Sequence, residues 1–335
     1  MWEAEKTGLK REEKMNRTDD KRISARYDIR EIPDGYYEKT TDGGRMDCVP
    51  VPGYRHALVY VPRAAGKEGR YPVIYLIHGG GNNPEAFFGE KQELENLLDH
   101  MIANQDIPPV IVVAPTYYPD DWEDVGVGGS GKAVCAFEPV IRERIVPLID
   151  SLYPTIPERE SRYFGGFSMG GVATWMAFLE QMDLFRTFIP MSGDCWYYGE
   201  LGGSRFADET AKLLAEKAEG QDFQLYALTG TEDIAYPNLN TQMERMAGYP
   251  VFTDRNTRYS LLEGGVHAYP DIRRYVYHAL KELLGSAAFP ELGNSGALGK
   301  TMPETGMTGP DRSETGQRTL PETESKRAKN EYRTV

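Results

Sequence analysis

Ten residues, Arg162 to Gly171, constrain this 335-residue chain more than any others. They contain Gly166-Phe167-Ser168-Met169-Gly170, a G-x-S-x-G pattern. Tyr163 and Phe164 read as the end of a short buried strand, and Val172 to Glu180 as the helix that follows. A chain that passes from strand to helix through one serine must turn sharply there. Small residues on both sides let the two elements approach closely. The pattern can also be a glycine-rich turn with an incidental serine. A nucleophilic serine demands more of the chain: a base, an acid to orient it, and hydrogen-bond donors for an oxyanion.

The rest of the sequence alternates in the way such a unit needs. Arg45 to Val51 and His56 to Val61 flank Pro52-Gly53 and read as two strands. Tyr71 to Ile77 is almost continuously apolar, as expected of a strand buried on both faces of a parallel sheet. Pro109 to Ala114, Phe185 to Met191, Phe223 to Leu228 and Arg258 to Leu262 are further strands. Helical periodicity covers Pro84 to Met101, Phe137 to Leu152, Ala207 to Ala218, Asn238 to Ala247 and Pro270 to Leu284. Tyr117 to Lys132 reads as a loop. Alternation of this kind predicts an α/β fold, a mainly parallel sheet with helices on both faces. Residues 1–26 are polar and are expected to form a disordered N-terminal arm, and residues 286–335, rich in Gly, Pro, Thr and Glu, a disordered tail. Residues 27–285 are the expected catalytic domain.

Composition narrows the partners. With 38 basic and 51 acidic residues the net charge is -13, which argues against nucleic acid or an anionic membrane as the partner. Three cysteines, Cys48, Cys135 and Cys195, have neither metal-type spacing nor the even count of a disulfide scaffold. The N-terminus is charged and lacks the apolar region of a secretory signal. The chain is therefore expected in the cytoplasm as written, or secreted if a leader is missing. Gly126 to Lys132 fits G-x-x-x-x-G-K, but Ala133 stands where a hydroxyl would hold Mg²⁺, and no strand leads in.

Among five histidines, His267 alone lies downstream of Ser168 on a glycine-rich loop after a strand. Hydrolases built on this elbow run serine, acid, histidine along the chain. Asp233, in Thr229-Gly230-Thr231-Glu232-Asp233, follows the strand before the one leading to His267 and is the expected acid; Asp194 is the second candidate. The oxyanion needs two N–H donors. Met169, directly after the serine, offers one, and Gly80 in His78-Gly79-Gly80-Gly81 the other. Tyr117, Tyr118 and Trp122 on one loop, with Trp196, Tyr197 and Tyr198 on another, either wall a pocket for a flat acyl group or sugar or simply pack the loops.

These motifs, His78-Gly79-Gly80-Gly81, Gly166 to Gly170, Thr229 to Asp233 and Gly264-Gly265-Val266-His267, together resemble the esterase D-type branch of the α/β-hydrolase fold. They most resemble the feruloyl and acetyl xylan esterases of carbohydrate esterase family 1, over roughly residues 45–285. The resemblance implies hydrolysis of an ester on plant cell-wall xylan, or of a feruloylated oligosaccharide, without a cofactor. Three functions stay open: a feruloyl esterase, an acetyl esterase or acyltransferase on the same residues, and a non-catalytic carbohydrate-binding module. The sequence leaves the oligomeric state undetermined.

Overall fold

Val73 to Ile77 is apolar and buried at all five positions, so its alternate side chains need cover on two sides. A computed structural model of the chain, describing residues 22–65, 69–88 and 93–285, supplies both covers. The strands are β1 (Ala25–Arg26), β2 (Arg45–Val51), β3 (Tyr54–Val61), β4 (Val73–Ile77), β5 (Ile111–Pro115), β6 (Arg162–Phe167), β7 (Thr187–Met191), β8 (Gln224–Gly230) and β9 (Thr257–Leu262). The helices are α1 (Glu85–Phe88), α2 (Leu94–Ala103), α3 (Val127–Val140), α4 (Val146–Leu152), α5 (Met169–Glu180), α6 (Gly202–Arg205), α7 (Ala207–Ala218), α8 (Tyr236–Met246) and α9 (Tyr269–Leu284).

Among the described residues the strands form one sheet in the order β1-β9-β8-β7-β6-β4-β5-β3-β2. Every pairing from β1 to β5 is parallel, and β3 pairs antiparallel with both β5 and β2. This is the expected α/β-hydrolase architecture. Val73, Tyr75 and Ile77 face one core with Phe137 of α3 and Trp175 and Phe178 of α5. Ile74 and Leu76 face the other, with Leu94 and Leu98 of α2 and Tyr275 and Leu280 of α9. The pleat sends successive side chains to opposite layers, so one apolar strand serves both.

The order also places the site. From β4 the chain moves outward to β5 and then returns to the far side of β4 as β6. The loops leaving β4 and β6 therefore diverge, and a crevice opens between them at the strand C-termini. Ile77 pairs with Gly166 at the ends of these strands, which sets the loop after β4 beside Ser168.

The helix expected over Pro84 to Met101 is described as two segments, α1 and α2, with Glu93 left-handed before the second, and two further regions differ from the sequence-based expectation. Residues 22–26 are not a free arm: β1 pairs in parallel with β9, Arg22 bridges Thr253, and the Ile23 side chain is buried. The strand is too short for periodicity to reveal it, and a neighbouring edge decides it. Residues 1–21 of the expected arm and the tail at 286–335 lie outside the described residues. Second, the glycine-rich end of the expected loop is helical from Val127. The small residues there fit close neighbours: the Trp196 ring lies against Gly131 and Asp124 against Gly129. Pro139 lies inside α3, and the next turn, Ile141–Ile145, is widened to π geometry before α4. Pro147, near the start of α4, has no N–H to give the carbonyl four residues back inside that turn, and the widened geometry accommodates the gap.

Candidate active site

Ser168 stands between β6 and α5 with φ 56° and ψ -114°, outside the regions that side-chain-bearing residues favour. Its backbone is held there on both sides: Ser168 N–H donates to Met191 of β7 at 2.9 Å, and Val172 N–H donates to the Ser168 carbonyl at 3.0 Å. The helix then passes so close to β4 that a Cβ on Gly170 would fall 1.9 Å from the Ile77 carbonyl oxygen. Only glycine fits that position. The tight turn leaves Ser168 at the C-terminal end of a central strand, partly exposed.

The loops after β8 and β9 reach the same point. Gly230 pairs with Leu262 at the ends of those strands, Thr231 N–H donates to the Leu262 carbonyl at 3.0 Å, and Glu232 N–H donates to that of Gly265 at 3.0 Å. A Cβ on Gly230 would meet the Gly265 carbonyl at 2.1 Å, so the close approach of the two loops depends on that glycine. His267 Nδ1 lies 2.7 Å from Asp233 Oδ1, and His267 Nε2 lies 2.9 Å from Ser168 Oγ. With a carboxylate on one side, the ring carries its proton on Nδ1. Nε2 is then free to accept the Ser168 hydroxyl. The Asp233 side chain is fully buried, and its Oδ1 also accepts the Ala235 N–H at 2.7 Å. The Phe167 ring, 4.5 Å from the imidazole centroid, covers one side of His267.

Asp194 is occupied elsewhere. Its carboxylate accepts the Trp196 indole N–H at 3.0 Å and the Gly203 N–H at 2.8 Å. Burial pushes its pKa up from the usual aspartate value, against those hydrogen bonds.

The loop after β4 packs on the elbow, with the Gly80 Cα beside the Met169 side chain and Ser130 of α3. Gly79 N–H donates to the Tyr269 hydroxyl at 3.2 Å, and Gly81 N–H donates to the Tyr118 hydroxyl at 2.9 Å. Among the described residues neither Gly80 nor Met169 has an acceptor for its N–H. These are the two amides expected from the sequence to face an oxyanion. His78 stays inside the fold: Nδ1 donates to the Gly79 carbonyl at 2.8 Å and Nε2 accepts the Thr116 hydroxyl at 2.9 Å. Burial lowers its pKa to about 4, so it is neutral at pH 7.

The aromatic residues divide. Tyr117 and Tyr118 have no exposed surface. Their rings pack on His78, with centroids 4.6 and 5.7 Å away, so they do not offer the ring faces expected of a pocket wall. The chain turns inward directly after β5 and carries both rings under the loop. Trp122 is half-buried, with its indole N–H donated to the Asp124 carbonyl. Trp196 keeps a small exposed edge and rests on Gly131, one residue from the Ser130 that touches Gly80. Tyr197 and Tyr198 are exposed, edge to face at 5.1 Å. Tyr269 carries no local signal of its contact with Gly79, which spans 190 positions. Among the described residues no group of three or more His, Cys, Asp or Glu is placed to hold a metal ion.

Comparison with known proteins gives the family and the fold. The family model described as "Putative esterase" matches residues 51–284. Endo-1,4-beta-xylanase Y of Acetivibrio thermocellus is 31% identical over 275 residues, 75% of this chain and 24% of that protein. An endo-1,4-beta-xylanase/feruloyl esterase of Xylanibacter ruminicola is 32% identical over 162 residues, 47% of this chain and 20% of that protein. The chain thus spans about a quarter or less of the length of these curated relatives. Among solved structures, a serine-to-alanine mutant of the feruloyl esterase module from Clostridium thermocellum, complexed with sinapinate, is 30% identical. It superposes with a TM-score of 0.68, covering 83% of this chain and 99% of that one.

Proposed function

The chain belongs to the esterase family of that model, and from this premise we propose that it is a serine esterase of the feruloyl esterase type, acting on hydroxycinnamate esters of plant cell-wall xylan. One observation carries the reading. Ser168, His267 and Asp233 form a continuous hydrogen-bonded line, and the two amides beside the serine, Gly80 and Met169, have no other acceptor among the described residues.

In the proposed reaction Ser168 Oγ attacks the ester carbonyl carbon while His267 Nε2 takes the hydroxyl proton. The carbonyl electrons move onto oxygen, and the N–H groups of Gly80 and Met169 meet the developing negative charge. Collapse of this intermediate breaks the bond to the alcohol oxygen, which leaves with the proton from His267. Water then attacks the acyl-serine by the same route, releasing the carboxylic acid and restoring Ser168. Asp233 keeps the imidazole in the tautomer that can accept the proton. A preorganised amide at the oxyanion is typically worth about 3 kcal/mol in the transition state.

The acyl group is the finer part of the proposal. The related module described above is complexed with sinapinate, a hydroxycinnamate. In this chain Tyr197, Tyr198, Leu201, Ile234 and Val266 are exposed on segments that follow the C-termini of β7, β8 and β9, and Val127 is exposed at the start of α3. A flat acyl group gains more from contact with such side chains than acetyl does. The test is turnover of methyl ferulate against 4-nitrophenyl acetate and acetylated xylan. We expect methyl ferulate to be preferred, and Trp196→Ala to lower its kcat/KM selectively. Preference for acetylated xylan would move the assignment to an acetyl esterase. Equal loss on both small esters would leave Trp196 as loop packing.

A further inference from the structure

The loop Gly79–Gly81 has three adjacent amides, of which only the middle one, that of Gly80, is without an acceptor among the described residues. The outer two end on phenol oxygens from distant elements. Gly81 N–H reaches Tyr118 just after β5, 2.9 Å away, and Gly79 N–H reaches Tyr269 at the start of α9, 3.2 Å away. We infer, on the reading of Ser168 as nucleophile, that the hydroxyls of Tyr118 and Tyr269 clamp this loop from both sides and so set the direction of the Gly80 N–H toward the oxyanion.

Both phenols are fixed for the task. The Tyr118 hydroxyl accepts from Gly81 and donates to Ser130 Oγ at 2.7 Å; Ser130 in turn donates to the Val125 carbonyl at 3.1 Å. Each proton in that row has one direction, because an amide can only donate and a carbonyl can only accept. The Tyr269 ring is wedged edge-on against Phe167 and Phe87, with centroids 5.1 and 5.5 Å away. Burial raises its pKa to about 12, which keeps the hydroxyl protonated and neutral at pH 7. A three-glycine loop has little conformational preference of its own. Oxyanion donors work by being held in place before the charge develops, and a small misplacement of an amide is costly in rate. Tyr118 and Tyr269 are thus positioning residues. They touch neither the ester nor the reacting atoms, and they act through Gly80.

The reading makes a claim that simple packing does not. Tyr118→Phe and Tyr269→Phe each remove one oxygen and leave the ring. Each should lower kcat about tenfold with KM little changed, since the amide matters most when the oxygen carries charge. A matched pair of substrates, methyl cinnamate and its thiono analogue with C=S in place of C=O, isolates the effect, because sulfur is a poor acceptor of the Gly80 N–H. The wild-type preference for the oxygen ester should shrink about tenfold in each variant. Equal losses on the two substrates, or an unchanged preference, would overturn the clamp. Should Tyr118→Phe fail to fold, Tyr269→Phe decides alone: its hydroxyl holds Gly79 from the other side, and an unchanged preference there rejects the clamp. A wild-type chain that hydrolyses neither ester is a separate result, and it removes the nucleophile reading itself.

Discussion

Replacing Ser168 by glycine should leave the fold more stable than replacing it by alanine, with activity lost in both. The argument rests on the backbone of the elbow. At φ 56° and ψ -114° a residue with a Cβ is strained, and such positions cost about 1–3 kcal/mol. Alanine keeps that strain and glycine does not, because these angles mirror a region open to every residue. Glycine gives back about 0.5–1 kcal/mol through the greater freedom of its unfolded chain. Both variants lose the 2.9 Å hydrogen bond to His267, so that loss cancels in the comparison. The glycine variant should therefore be more stable by about 1 kcal/mol, or about 2–4 °C in melting temperature for a domain of this size. Urea unfolding followed by tryptophan fluorescence, with calorimetry alongside, measures the difference. Ester hydrolysis in both should fall by a factor on the order of 10⁶. A glycine variant no more stable than the alanine variant would show that the elbow stores no strain. Residual activity above a tenth of wild type in either would remove Ser168 as nucleophile.

Other substitutions separate roles that the geometry assigns. Asp233→Asn should reduce kcat by about 10⁴ through loss of the imidazole tautomer, whereas Asp194→Asn should act mainly on stability; the reverse ranking at equal folding would transfer the role to Asp194. His78 is neutral when folded, with a pKa near 4 against 6.5 unfolded, so below pH 6.5 the unfolded chain binds the extra proton first. Its contribution is whole above pH 6.5 and is lost as pH falls toward 4, about 3 kcal/mol in total. A His78→Asn variant should show a flatter stability profile across that window, and an unchanged slope would refute the assignment. A chain beginning at residue 27 lacks β1 and the buried Ile23 and should be less stable than the full chain by about 2 kcal/mol in urea unfolding. An unchanged midpoint would show that the strand adds nothing.

What the sequence determined by itself was local and short in range. The elbow from Gly166 to Gly170, the glycine run after His78 and the apolar runs of β4 and β5 each carry their meaning within a few residues. Turn geometry and burial on two faces act over that distance. The chain order of Ser168, Asp233 and His267 followed from those motifs, and so did the α/β class. The pairing itself did not. Whether His267 meets Asp233 or Asp194 depends on which strands are neighbours and how closely their loops pass. The Gly230–Gly265 contact decides that across 35 positions. Tyr117 and Tyr118 illustrate the same limit. On a loop beside a site they read as pocket wall, but the turn after β5 drives them under His78 and makes one of them a support for Gly81. Local propensity could not reveal the helix that starts at Val127, because glycines disfavour helices. Only the packing of Trp196 and Asp124 against that turn accounts for them. β1 is two residues long and has no pattern to read; it is a strand because the edge of β9 was open beside it.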